Sequence, residues 1–137
     1  MIYITRRERF NAAHKLNNTA WSEEKNLAVF GKCSNPNWHG HNYELFVTVK
    51  GIPDPETGFV FNLKLLSEIL KEKVVDKIDH RNINLEVDFM KSVIPSTELL
   101  AKGIWNEIND EINSHGVQLH SVKLHETENN YVEYFGD

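Results

Sequence analysis

Apolar residues recur every second position near both ends of the chain and every third or fourth position in between. Over Ile2 to His14 the even positions carry Ile2, Ile4, Phe10, Ala12 and His14. This predicts a strand with His14 on its apolar face. From His39 to Lys50 the alternation is cleaner. His39, His41, Tyr43, Leu45, Val47 and Val49 share one face, with Gly40, Asn42, Glu44, Thr48 and Lys50 on the other. Ile52-Pro53-Asp54-Pro55-Glu56-Thr57-Gly58 is turn chemistry, and the apolar run Phe59 to Phe61 after it reads as a short strand. Asn62 is a plausible N-cap for a helix carrying Leu63, Leu66, Leu70, Val74 and Ile78. A second helix is expected from Ser96 or Thr97, with Glu98 in its first turn. Its stripe is Leu100, Ile104, Ile108 and Ile112, and Ser114-His115-Gly116 ends it. Strands are expected over Val117 to Thr127 and Tyr131 to Phe135. Residues 15–38 have no clean period and read as a loop, and long loops within a domain are usually functional. The order strand, strand, helix, helix, strand, strand predicts an α+β sandwich, its largely antiparallel sheet covered by helices on one face.

Composition narrows the class without naming an activity. The 137 residues suit one domain over 1–137, which at that length buries about two-thirds of the unfolded surface without a disulfide or structural metal. A net charge of −5 argues against a nucleic-acid-binding module, which would show a basic stripe. The apolar runs are too short to span a membrane, and charge is mixed into every apolar stretch of the first nine residues, unlike a signal peptide. The single cysteine, Cys33, excludes an intrachain disulfide and fits a reducing compartment, so a cytoplasmic location is expected.

Chemistry concentrates in a few places. In His39-Gly40-His41 both imidazoles project from one strand face, about 6–7 Å apart at the backbone, and can converge on one ion. His14, on the apolar face of another strand, can supply a third nitrogen. Three neutral histidines without a thiolate suit Zn²⁺ with one position left open. A pair of strand histidines satisfied by ordinary hydrogen bonds is the simpler alternative. Cys33 stands in a polar loop beside Lys32. It can be a small buried hydrophobe, a base or nucleophile, or a fourth metal ligand. In Asp79-His80-Arg81 a carboxylate can orient an imidazole for proton transfer, or the cations can simply close a helix. Glu126 follows Val122 and Leu124 on one strand face. A carboxylate there needs a partner, and it can accept two parallel N–H bonds from a guanidine-like edge.

Taken together these blocks resemble a known family. Phe10-Asn11-Ala12-Ala13-His14, Cys33 through Tyr43, Asp79-His80-Arg81-Asn82, Ser96-Thr97-Glu98 and Glu126-Thr127-Glu128-Asn129-Asn130 occur in the order found in the 6-pyruvoyl-tetrahydropterin synthases. That family also includes the 6-carboxytetrahydropterin synthases of queuosine biosynthesis. The resemblance runs from about Arg9 to about Phe135. It implies the tunnelling fold, ββααββ, whose sheets close into a barrel in trimers that stack as a homohexamer.

The resemblance also implies His14, His39 and His41 as zinc ligands, and Cys33, Asp79 and His80 as catalytic residues, the last two from a neighbouring subunit. Glu126 would anchor a pterin, with Ser96, Thr97 and Glu98 beside it. The implied substrate is 7,8-dihydroneopterin triphosphate, converted to 6-pyruvoyl-tetrahydropterin with release of triphosphate. Lys15, Lys32 and Arg81 are candidates for holding the phosphates. Five residues separate Cys33 from His39, where the carboxy-forming branch has three, so the pyruvoyl product is favoured over the carboxy product with acetaldehyde. Trp38 departs from the family pattern, which has a smaller residue beside the zinc ligand. A non-catalytic pterin- or zinc-binding protein and a zinc hydrolase are the rival readings.

Overall fold

The computed structural model describes Met1 to Asp137 throughout. Strands β1 (Ile2–His14) and β2 (His39–Gly51) form a long antiparallel pair, with His14 opposite His39, Ala12 opposite His41 and Phe10 opposite Tyr43. β4 (Gln118–His125) pairs antiparallel with β2, and β5 (Tyr131–Tyr134) with β4. The two-residue strand β3 (Arg81–Asn82) adds to the free edge of β1, giving the order β3-β1-β2-β4-β5. β3 runs parallel to β1. The sheet is therefore mixed: its long pairings are antiparallel, as expected, and the two-residue β3 alone departs. Parallel pairing needs a long crossover, and here the helical segment between β2 and β3 supplies it.

Two helical stretches cover one face of the sheet. The first begins with α2 (Leu63–Leu70), capped by the Asn62 side chain as expected. It continues through a π-helical segment, Lys71–Val75, into α3 (Asp76–Ile78). Leu66, Leu70, Val74 and Ile78 are buried, whereas Leu63 at the first turn is exposed. The second is α5 (Thr97–Asn113), where the Ser96 hydroxyl accepts from the Leu99 amide and Leu100, Ile104, Ile108 and Ile112 are fully buried. Their stripe packs on Leu45, Val47, Val49, Val122 and Leu124 in one core.

Two local expectations fail. Phe59 to Phe61 is irregular chain and joins no strand. The expected loop 15–38 contains a helix, α1 (Glu23–Phe30), followed by a 3-10 turn at Gly31–Ser34. Between β3 and α5 lie α4 (Ile83–Glu86) and a 3-10 turn at Asp88–Met90. No helix is long and apolar enough to cross a membrane.

Candidate active site

The β1–β2 register brings three imidazoles together at one end of the sheet. His14 closes β1 and His39 opens β2 directly opposite it, while His41 lies two positions on along the same face. Ring centroids are 4.6 Å apart for His14 and His39, and 5.1 Å for His41 with each of the other two. One nitrogen from each ring lies within 4.8 Å of the others.

The hydrogen bonding says which nitrogens are free. Nδ1 of His14 lies 2.8 Å from the Pro95 carbonyl. A carbonyl can only accept, so Nδ1 carries the proton and Nε2 keeps its lone pair. Nε2 of His14, Nδ1 of His39 and Nε2 of His41 are all buried without a hydrogen-bond partner. Buried polar atoms are rarely left so, and three together form a donor set suited to one cation. Burial, and for His39 next the neighbouring His41, holds the His14 and His39 imidazoles below their ordinary value, which keeps lone pairs available. The residues present fit a metal ion.

Glu126 stands beside this group. It follows β4 at the level of Tyr43, and its amide donates to the Asn130 carbonyl, which folds the Glu126–Asn130 turn back. Oε1 is 3.7 Å from Nε2 of His41, beyond hydrogen-bond reach, and Oε2 accepts from the Thr97 hydroxyl. Glu126, Ser96, Thr97 and Glu98 line one cavity of about 350 Å³, and Glu126 and His41 line another of about 570 Å³. The four residues expected to hold a planar ligand thus meet at the N-terminus of α5, next to the histidines.

The expected proton-transfer groups stand elsewhere in the chain. Cys33 lies exposed in the 3-10 turn, and its carbonyl accepts from the Leu16 amide at 2.7 Å. It is outside the histidine group, which answers the question of a fourth ligand in the negative for this arrangement. Asp79 and His80 lie at the β3 edge. Oδ2 of Asp79 is 3.0 Å from Nδ1 of His80, and Oδ1 accepts from the Asn11 amide at 2.8 Å. That amide, and then the His80 contact, hold the Asp79 carboxyl below its ordinary value. His80 adopts a left-handed φ of 61° and its side chain is 81% exposed, so it faces away from the rest of the chain. Asp79 lines a cleft with Arg9, Asn11, Asn42 and Glu44, whereas Arg81 lines a charged groove with Asp76, Glu86, Asp88 and Glu107.

Two residues escaped the sequence reading. The Pro95 carbonyl sets the His14 tautomer, and a backbone atom leaves no side-chain signature. Tyr43 stacks on Phe10 beside the histidines with its hydroxyl buried and unpaired. Burial, with Glu126 adding, pushes its phenol well above the usual range. In the sequence it is one more apolar position of β2.

Comparison with known proteins shows the family and the fold. The family model described as 6-pyruvoyl tetrahydropterin synthase matches residues 3–137. A 6-pyruvoyl tetrahydrobiopterin synthase from Pongo abelii is 44% identical over 134 residues, covering 98% of this chain and 91% of that protein. The solved structure of Caenorhabditis elegans 6-pyruvoyl tetrahydropterin synthase superposes with a TM-score of 0.93 at 33% identity, covering 99% of this chain and 96% of that one. A 6-carboxy-5,6,7,8-tetrahydropterin synthase from Bacillus subtilis is 33% identical over 81 residues, covering 57% of this chain and 51% of that protein.

Proposed function

We propose, on the premise that the chain belongs to the 6-pyruvoyl tetrahydropterin synthase family, that it converts 7,8-dihydroneopterin triphosphate to 6-pyruvoyl-tetrahydropterin with loss of triphosphate. It is a lyase. The observation that carries the reading is the set of three unpartnered imidazole nitrogens beside a carboxylate held by Thr97.

His14, His39 and His41 would hold Zn²⁺. Bound there, the ion supplies a Lewis acid that stabilises negative charge developing on the substrate's side-chain oxygens. Glu126 accepts N–H bonds from the pterin ring, and Thr97 fixes the carboxylate for that task. Cys33, as thiolate, removes a proton from a side-chain carbon. Asp79 orients His80, which moves protons to and from the ring and side chain. Triphosphate departs with its electron pair, and oxidation of the side chain balances reduction of the ring, so no nicotinamide or flavin is consumed. Because Asp79 and His80 stand apart from the histidines of their own chain, the reading places them in a neighbouring subunit's site. The assembly it implies is a homohexamer of two trimers, with the sheets closed into barrels and located in the cytoplasm.

The five-residue spacing between Cys33 and His39 supports the pyruvoyl product, as does the longer match to pyruvoyl-forming relatives. The deciding experiment gives zinc-loaded protein the triphosphate substrate and follows the pterin by mass spectrometry. A three-carbon side chain with triphosphate and no acetaldehyde is the expected result. A one-carbon carboxyl product with acetaldehyde would move the protein to the queuosine branch. Unchanged turnover by Cys33→Ser and Glu126→Gln would favour a zinc hydrolase, and no turnover at full zinc loading a binding protein.

A further inference from the structure

A cavity of about 510 Å³, within the size range of ligand pockets (roughly 300–1,000 Å³), lies one residue removed from the histidine group, lined neither by the three histidines nor by Glu126. Its wall includes the chain neighbours of two histidines, Lys15 after His14 and Trp38 before His39, together with Pro95, whose carbonyl holds His14. Lys15 is its one charged residue. The two cavities lined by Glu126 also carry Glu98 or Glu44 and Glu128, whereas this one carries no carboxylate. Asn17, Thr19 and Ser92 add polar side chains.

The segment that bears these groups is held from two sides. Asn84 accepts from the Lys15 amide and donates to its carbonyl, and Asn26 does the same for Asn18. The Lys15 ammonium makes no ion pair and rests over the Trp38 ring, 4.5 Å from its centroid. Trp38 keeps a left-handed φ of 67°, a conformation that glycine takes without strain and a bulky residue rarely adopts. A large aromatic ring kept at a strained position, whose face meets the cavity's one cation, points to a use for that contact.

We propose that Trp38 is a positioning residue that fixes the Lys15 ammonium at this cavity, where Lys15 binds the substrate's phosphoryl chain. This rests on the synthase reading above. One face of the ammonium lies on the indole, leaving donors free for phosphate oxygens. The absence of a competing carboxylate lets an anion enter.

The test uses zinc-loaded full-length protein and two probes, inorganic triphosphate and phosphate-free 7,8-dihydroneopterin, titrated calorimetrically alongside steady-state kinetics. Lys15→Met and Trp38→Leu are expected to raise KM for the triphosphate substrate about tenfold while kcat stays within about threefold, the pattern of lost uniform binding. Trp38→Phe, which retains an aromatic face, restores most of the affinity. Dihydroneopterin binding stays at the wild-type level in all three. Should Trp38→Leu fail to fold, Trp38→Gly removes the indole at a φ glycine tolerates and carries the same expectation. An unchanged KM, or an equal loss of dihydroneopterin affinity, would overturn the assignment and leave the synthase reading standing. If wild-type protein neither binds dihydroneopterin nor turns over the substrate, the synthase reading falls. The inorganic triphosphate titration then decides the cavity alone: Lys15-dependent binding upholds its anion role, and no such binding overturns it.

Discussion

Because the Pro95 carbonyl accepts a hydrogen bond from Nδ1–H of His14, the ring meets the other two histidines with its Nε2 lone pair, in the tautomer a metal requires. The same burial that frees the lone pair makes protonation costly. In metal-free protein the folded values of His14 and His39 lie below the roughly 6.5 of an unfolded imidazole, so the unfolded chain binds protons first on acidification. Stability from these groups is complete above about pH 6.5 and falls as pH drops from there through the folded values. Denaturant midpoints of the metal-free protein at about pH 7.5 and about pH 5.5 should show that loss, and His14→Gln should reduce it. Metal release should follow acid as well, since only neutral imidazoles bind. Cys33 behaves oppositely. It is exposed and outside the ligand group, so Cys33→Ala should retain wild-type zinc content and melting temperature. Turnover should nevertheless fall by at least about a hundredfold, the scale of a lost general base. Loss of zinc together with activity would return Cys33 to the metal.

At the scale of elements, the sequence reveals what repeats and hides what is local. Strict alternation put His14, His39 and His41 on the faces they occupy, and the four-residue stripe of α5 delivered Leu100, Ile104, Ile108 and Ile112 to the core. Helix α1 has no such stripe: Asn26 is its buried residue, while Leu27 and Val29 are exposed. Its signals were the Ser22 cap, Glu23 and Glu24 in the first turn, and Gly31 at its end, which define a helix without a periodic face. The parallel pairing of β3 was equally hidden, because two residues have no period and the bond from the Asn11 amide to Asp79 is long-range. This difference predicts different responses to substitution. Ile108→Ala opens a cavity beneath the sheet and should lower global stability by about 2–5 kcal/mol. Ser22→Ala removes a cap from a helix on the surface and should cost about 1 kcal/mol. Its effect should be local, seen as faster hydrogen exchange across Glu23–Phe30 and the Lys15–Thr19 segment that Asn26 holds. A global loss equal to that of Ile108→Ala would show that α1 is integral to the core.

At the scale of the whole molecule, a single chain holds the parts of the proposed site in two separate places. The histidines, Glu126 and Thr97 gather where β1, β2 and the start of α5 meet. The Asp79–His80 pair sits at the β3 edge with His80 turned outward, and Asp79 lines a cleft that none of the three histidines lines. If copies of the chain bring these edges together, the site is complete only between subunits, and two different lesions can be separated. Cys33→Ala and His80→Ala should each be inactive as pure assemblies. When the two are unfolded together, refolded as an equal mixture and loaded with zinc, some neighbouring pairs combine an intact Cys33 with an intact His80. Random assortment gives about a quarter of sites that combination, and so about a quarter of the wild-type rate per site. A site built within one chain would gain nothing, because every chain in the mixture carries one lesion. Recovered activity would therefore show a shared site, and its absence in verified mixed assemblies would place both groups in one protomer.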